Sequence, residues 1–213
     1  MIIEFCGIPG GGKSTLAKAY AERYKDSAVL VTLDMYKRLP EIEYGILFAC
    51  RHPLSFFWLC AFVLRYHMRG LFWYSLHLAL RACAKYQKAS LATSSRIILI
   101  DEGLIHALGV LSSYPLKKEE ICKWMRRIVL PDAACIALSG DFHRFHNSHA
   151  ALHPRVGKGD EELKSWEFAV KENTSKVNLC LVDNNVLVWH IPNRTSSSLE
   201  GNIDALHAYL ATI

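Results

Sequence analysis

The residues with the clearest chemistry lie near the start of the chain. Gly7 to Ser14 read Gly-Ile-Pro-Gly-Gly-Gly-Lys-Ser and satisfy the pattern G-x-x-x-x-G-K-[ST] at every fixed position. Glycines let backbone N–H groups turn inward around phosphate oxygens, because they carry no Cβ atom. An apolar run precedes this segment and a helical pattern follows it, which is the context that a phosphate-binding loop requires. We therefore expect the segment to bind the phosphates of a nucleoside triphosphate.

The side chains of this loop have expected roles in binding ATP and Mg²⁺. Lys13 is expected to reach the β- and γ-phosphates, and Ser14 to bind Mg²⁺. The N-terminus of the following helix adds its partial positive charge at the same point. The residues expected to bind the nucleotide are Gly7, Pro9, Gly10, Gly11, Gly12, Lys13, Ser14 and Thr15.

Two carboxylates, Asp101 and Glu102, directly follow another apolar run, Ile97-Ile98-Leu99-Ile100. Ligands of open α/β sheets bind at the carboxyl ends of the strands, so both acids are candidate site residues. We expect Asp101 to support Mg²⁺, usually through water. Glu102 has three alternative roles: it could polarise a water, contact an acceptor hydroxyl, or cap the next helix.

Five short apolar runs predict the strands that position these residues. They are Ile2–Cys6, Ala28–Leu33, Arg96–Ile100, Ala133–Leu138 and Val186–Ile191. Helical patterns separate the runs, which favours a parallel sheet with helices on both faces. The expected fold is therefore an α/β P-loop NTPase three-layer sandwich, a single domain over residues 1–213. Residues 40–90 are expected to form a helical insertion between the second and third strands.

The sequence resembles the P-loop kinases of small molecules, a superfamily that includes thymidylate kinase-like and polynucleotide kinase-like phosphotransferases. Residues 7–15, the second-strand ending Val31–Arg38 and Pro131-Asp132 before the fourth strand carry the resemblance. It implies ATP-dependent transfer of the γ-phosphoryl group to a small-molecule acceptor, with Asp34 as the catalytic base. Asp34 at the end of a strand could accept the hydroxyl proton, or it could instead cap the next helix. Arg38 could bind an acidic substituent or the transferring phosphoryl group.

One departure from the thymidylate kinase pattern bears on the acceptor. Those proteins usually carry Asp-Arg after the third strand, whereas this chain has Asp101-Glu102-Gly103. The missing arginine favours a hydroxyl acceptor, such as a nucleoside, a sugar or a related metabolite. A nucleoside-monophosphate kinase remains an alternative, as does a P-loop ATPase or a nucleotide-binding regulatory protein without phosphotransfer. A GTPase is disfavoured because the chain has no Asn-Lys-x-Asp motif.

Two segments are expected to complete the site. Residues 140–160 follow the fourth strand and are expected to form a lid, with Arg144 and Arg155 on the phosphates. Four histidines between His143 and His153 could align as a metal site, but no cysteine or acid joins them at ligand spacing. The insertion is expected to bind the acceptor through Arg65 and Arg69; the alternative is that its aromatic residues form core and its cations are solvated.

The overall composition limits the binding partners and the cellular location that the protein could have. A net charge of +5 suits an anionic ligand, and the spread of basic residues along the chain disfavours nucleic acid. The apolar stretches Leu54–Leu64 and Leu71–Leu80 are each too short to span a bilayer, although a membrane-surface contact through residues 54–80 stays open. Seven scattered cysteines without a CxxC pair predict reduced thiols and a cytoplasmic protein.

Overall fold

A five-stranded parallel sheet forms the centre of the molecule. The computed structural model describes residues 1–8, 11–33, 38–67, 72–92, 96–129, 133–139, 160–183, 186, 188–192 and 199–212. The strands are β1 (Ile2–Gly7), β2 (Ala28–Val31), β3 (Ile97–Ile100), β4 (Ala133–Ser139) and β5 (Val188–Pro192). Their order is β2-β3-β1-β4-β5, and every neighbouring pair is parallel. All five predicted strands are confirmed, and the predicted α/β fold class with them.

Helices connect these strands throughout the described part of the chain. They are α1 (Lys13–Arg23), α2 (Arg38–Arg51), α3 (Pro53–Tyr66), α4 (Phe72–Leu91), α5 (Leu104–Val110), α6 (Lys118–Ile128), α7 (Asp160–Asp183) and α8 (Leu199–Leu210). The insertion between β2 and β3 therefore consists of three helices, α2 to α4. Its expected helical character is confirmed.

The sheet has an apolar core on each face because successive side chains of a strand point to opposite sides. On one face, Ile3 and Phe5 of β1 pack with α1 and α8. On the other face, Cys6 of β1 and Ile98 and Ile100 of β3 pack with α3 to α7. This three-layer arrangement brings the carboxyl ends of β1, β2 and β3 to one edge of the sheet.

None of the described helices is by itself long and apolar enough to cross a bilayer. Residues Pro40–Arg51 and Pro53–Tyr66 reach that length and composition only as a pair, and the pair is bent by 114°.

The structure corrects the expectation that all seven cysteines are free thiols. Cys6 pairs with Cys135 as a disulfide, and Cys122 pairs with Cys180. The free cysteines are Cys50, Cys60 and Cys83. Sequence separations of 129 and 58 residues concealed these pairs, which form because β1 lies beside β4 and α6 packs against α7.

Candidate active site

The glycine-rich loop leads from β1 directly into α1. Gly12 has φ 81° and precedes the first helical residue, a left-handed conformation that glycine adopts without a Cβ clash. The backbone N–H of Gly11 donates to the Ile8 carbonyl at 3.2 Å and closes the turn. Pro9 and Gly10 lie outside the described residues. The loop therefore has the strand–turn–helix context that the sequence predicted.

Lys13 is buried beneath this loop. Its ammonium donates hydrogen bonds to the carbonyls of Ile8 at 2.9 Å and Gly7 at 3.3 Å. Burial lowers the pKa of Lys13 to about 8, although the negative charges of Glu102 and Asp101 oppose that change. Both acids thus act on the lysine that was expected to reach the phosphates.

Ser14, Asp101 and Lys85 meet at the carboxyl edge of the sheet. The Lys85 ammonium of α4 donates to Asp101 Oδ1 at 2.6 Å, and both side chains are largely buried. Burial alone would raise the pKa of Asp101, but the Lys85 charge and hydrogen bonds from Lys85 and Ser14 hold it below its ordinary value. The Ser14 hydroxyl and the Asp101 carboxylate are hard oxygen donors of the kind that Mg²⁺ prefers. Ser14 and Asp101 therefore fit a magnesium ion.

Glu4 of β1 organises the turn that presents the two acids. Its buried carboxylate accepts backbone N–H bonds from Gly103 at 3.0 Å, Ile105 at 3.1 Å and His106 at 2.7 Å. Burial raises its pKa to about 7 against these bonds and the Lys85 charge. A Cβ atom on Gly103 would lie 2.6 Å from Glu4 Oε2, so only glycine fits there without rearrangement. Glu4 therefore fixes the start of α5 and the backbone after Asp101.

Glu102 and His106 form the next layer around Lys13. Glu102 has φ 151°, and it is the single non-glycine residue with positive φ in the described part of the chain. Its carboxylate lies 3.9 Å from His106 Nε2. Burial and the charges of Lys13 and Lys85 hold the pKa of His106 well below its ordinary range, so the ring is neutral. This geometry keeps Glu102 near Lys13 and leaves it partly exposed.

Two further cations of α4 hold the end of β2. Arg81 donates to the Leu33 carbonyl at 3.4 Å, and Lys88 donates to the Thr32 carbonyl at 2.8 Å. Together with Lys85 they follow one face of α4 at helical spacing. All three cations thus contact the carboxyl edge of the sheet. Asp34 follows Leu33 in sequence but lies outside the described residues.

An open cleft of about 780 Å³ lies between α2 and α4. Its walls are mostly apolar and include Ile42, Ile46, Phe56, Trp73 and Leu80. Its polar lining residues are Glu41, Tyr74 and His77.

Two of these polar side chains connect the cleft with the carboxyl edge. Glu41 Oε1 lies 3.8 Å from Nε of Arg81, which also contacts the end of β2. That oxygen is buried and accepts no hydrogen bond from the described residues. Burial raises the pKa of Tyr74, and the Glu102 charge adds to the effect, so Tyr74 lies within electrostatic reach of Glu102. Arg81 therefore links the cleft with the end of β2.

Comparisons with known proteins bear on the fold. No protein-family model matches the chain, and no curated protein sequence matches it either. Solved structures do. Deoxyadenosine kinase from M. mycoides with bound products dCMP and dCDP aligns at 12% identity over 100% of both chains, with a TM-score of 0.54. The dATP-bound structure aligns at 12% identity over 99% of both chains, TM-score 0.54. The dCTP-bound structure aligns at 11% over 100% of both, TM-score 0.53. The chain has the P-loop kinase fold.

Several predicted site residues either do not lie at the carboxyl edge or fall outside the described residues. Arg65 lies outside the α2–α4 cleft; it lines a separate cleft between α3 and α6, 4.0 Å from Glu120. The side chain of Arg38 and all of Asp34, Arg69, Arg144 and Arg155 fall outside the described residues, as does the segment from His143 to His153. Among the described residues, no group of three or more His, Cys, Asp or Glu side chains could hold a metal.

The site also contains Glu4 and His106, which the motifs did not indicate, and Lys85, which was expected only as one of the cations on a helix face of the insertion. Lys85, Glu4 and His106 surround the predicted pair of Lys13 and Asp101. One sequence signal could have indicated Lys85: it shares a predicted helix face with Arg81 and Lys88, four residues before it and three after it. A glutamate inside the apolar run of β1 is a second such signal, because a buried acid needs a partner.

Proposed function

We propose that this chain is an ATP-dependent kinase that transfers the γ-phosphoryl group to a hydroxyl of a small acceptor. The observation that carries the proposal is the convergence of Lys13, Ser14, Asp101 and Lys85 at the mouth of the glycine-rich loop. Phosphoryl transfer needs positioning and positive charge around the transferring group more than covalent chemistry. Two buried lysines and a backbone cradle meet that need. A deoxyadenosine kinase with the same fold is compatible with it.

Each residue has a proposed task. Lys13 would exchange its bonds to the loop carbonyls for bonds to phosphate oxygens. Ser14 and Asp101 would hold Mg²⁺, which supplies neutralisation of phosphate charge when bound. Lys85 would add a second ammonium near the transferring group. Asp34 would accept the proton of the attacking hydroxyl, with the strand before it fixed by Arg81 and Lys88.

The α2–α4 cleft is the proposed acceptor site. Apolar and aromatic walls suit the faces of a flat ring better than a bare sugar, which needs a hydrogen-bonding group for each hydroxyl. The unsatisfied Glu41 oxygen suits an N–H or O–H donor on the ring edge. A nucleoside or another ring-bearing alcohol has this combination of groups. We therefore favour a nucleoside-like acceptor over a simple sugar or a monophosphate.

The first experiment is ³¹P NMR of the purified protein with Mg-ATP and a pool of nucleosides, nucleoside monophosphates and sugars. We expect a phosphomonoester signal that appears only with a nucleoside-like acceptor. Lys13→Ala should abolish it and weaken triphosphate binding tenfold or more, at about 1.4 kcal/mol per tenfold. Lys18→Ala is the matched control, since Lys18 lies on the same helix with an exposed side chain. Release of inorganic phosphate without any acceptor would show that the protein is an ATPase and contradict the kinase proposal.

Glu41→Gln tests the acceptor site separately. Glutamine keeps an oxygen acceptor but loses the charge that makes such a hydrogen bond roughly twice as strong as a neutral one, so the acceptor KM should rise severalfold. The KM for ATP should stay unchanged, because Glu41 belongs to the cleft and not to the loop. Glu43→Gln is the control, since Glu43 is exposed on the same helix. Equal acceptor KM values for both variants would place the acceptor elsewhere.

A further inference from the structure

The positive charge of the protein is concentrated in the helical insertion and the start of β3. Residues 44–100 contain seven Lys and Arg residues and no Asp or Glu. The remaining 156 residues carry 18 Lys and Arg against 20 Asp and Glu, so the net charge of +5 originates in this one segment. Lys85 and the two cations that hold β2 face the active site. Other cations of the segment, such as Arg51 and Arg65, are exposed.

Helix α3 is apolar on both its inner and its outer face. Leu59, Phe62 and Val63 are buried on the inner face. Leu54, Phe57 and Leu64 follow one another at helical spacing on the outer face, with 74%, 60% and 64% of their surfaces exposed. A helix that is apolar all round is normally covered on every side. The outer face of α3 is left uncovered by the described residues.

A cation-rich cleft adjoins this face. The cleft lies between α3 and α6 and has a volume of about 440 Å³. Its charged lining residues are Arg65, Lys117, Lys123 and Arg127, against Glu119 and Glu120. The guanidinium of Arg127 lies 4.1 Å from the ring centre of Trp58, the neighbour of the exposed Phe57. Aromatic walls and excess positive charge suit a phosphate-bearing headgroup.

We propose that the outer face of α3 and the adjoining α3–α6 cleft dock onto an anionic lipid surface. Leu54, Phe57 and Leu64 would enter the boundary between headgroups and acyl chains, which is how amphipathic surfaces bind membranes. The cations around Arg65 and Arg127 would contact the headgroups, because basic residues next to an apolar face are attracted to anionic lipids.

A second copy of the chain is a poorer occupant of the same face. A two-fold interface places each patch against itself. The α3–α6 cleft in this patch carries four cations against Glu119 and Glu120, so two copies facing each other would repel through their excess positive charge. An anionic lipid surface removes this repulsion. The inference depends on the surface alone and is independent of the proposed phosphotransfer.

Vesicle co-sedimentation of the full chain tests the docking. The probes are phosphatidylcholine vesicles with and without phosphatidylglycerol, each at low and high salt. We expect binding only to the vesicles that contain phosphatidylglycerol, and weakening as salt rises because salt screens the attraction. Phe57→Ser should reduce the partition coefficient about tenfold or more, as expected for losing a buried aromatic side chain. Phe168→Ser is the matched control, since Phe168 is exposed to a similar extent on α7.

The outcomes separate the alternatives. Circular dichroism and thermal melting should be the same for both variants, because both side chains are exposed. Binding that Phe57→Ser and Phe168→Ser reduce equally would overturn the assignment of α3. Absence of vesicle binding, together with a dimer that Phe57→Ser dissociates in sedimentation, would assign the face to a second copy. Equal binding to neutral vesicles would exclude the role of the cations.

Discussion

Lys85 links the helical insertion to the carboxyl edge of the sheet. It is a buried cation whose ammonium contacts Asp101, the acid that Ser14 also contacts. In a partly dry environment, neither charge is tolerated without the other. Lys85 therefore couples the position of α4 to the electrostatics around Lys13 and Asp101. An acceptor bound against α4 would act on the same helix that carries this lysine.

Lys85→Met tests that coupling through stability. Breaking a buried pair leaves an uncompensated charge and costs about 3 kcal/mol. In the native protein the pKa of Asp101 lies below its unfolded value, so the pair contributes stability above the unfolded pKa and loses it as pH falls through the folded one. In the variant, burial without Lys85 raises the pKa of Asp101. The difference in unfolding free energy should therefore be largest near neutral pH and shrink as the solution is acidified.

Urea denaturation across a pH series measures this difference. Lys88→Met is the control, since within the described part of the chain Lys88 contacts a backbone carbonyl and no acid. A pH-independent loss in Lys85→Met would contradict the proposed pairing and indicate lost packing alone.

The short connections between strands and helices set the positions of the acidic side chains at the carboxyl edge more directly than the helices do. The turn from β3 to α5 is the clearest case, because Glu4 binds its backbone N–H groups and Gly103 leaves room for that carboxylate. The turn sets the direction of Asp101 and Glu102 just before it. A side chain at Gly103 would displace Glu4 and with it the backbone of both acids.

Gly103→Ala should therefore destabilise the protein by about 1–3 kcal/mol, as expected for overpacking in a core. The rate of the proposed phosphotransfer should fall even at temperatures where the variant is fully folded, because Asp101 moves with the turn. Gly45→Ala is the matched control for the melting temperature: among the described residues its Cβ atom would meet only the Leu80 carbonyl, at 3.9 Å, and alanine favours a helix over glycine. Thermal melts of both variants measure the effect, and an unchanged melting temperature for Gly103→Ala would contradict the packing argument.

The sheet and the loop were predictable because their signals are local. Runs such as Ile97–Ile100 and the glycine-rich motif specify strand, turn and helix within a few residues of sequence. Contacts between distant segments were not predictable in the same way. Lys85 reaches Asp101 because α4 packs against β3, and Glu4 reaches His106 because the sheet order places β3 beside β1. Arg65 was expected in the acceptor site but lines the cleft between α3 and α6. Helical spacing predicts which residues share a face of α3, but it does not predict which element that face packs against.

The two disulfides connect elements that meet only in the folded chain. Cys122–Cys180 joins α6 to α7, and Cys6–Cys135 joins neighbouring strands beneath the glycine-rich loop. Both therefore lie in the apolar core on the face of the sheet that packs against α3 to α7. Cys50, by contrast, is a free and exposed thiol on α2.

Thiol counting and melting test this arrangement together. Alkylation of the denatured, unreduced protein should modify three cysteines, the free ones, and reduction should expose all seven. Cys122→Ser should lower stability by about 2–4 kcal/mol under oxidising conditions, because the unfolded chain loses a cross-link between distant segments. With added reductant the native protein and Cys122→Ser should melt alike, because neither then retains a cross-link. Cys50→Ser is the control and should melt like the native protein. If all seven cysteines were modified without reduction, both disulfides would be contradicted and the prediction of free thiols from the sequence would be correct. Apolar contacts alone would then hold α6 against α7.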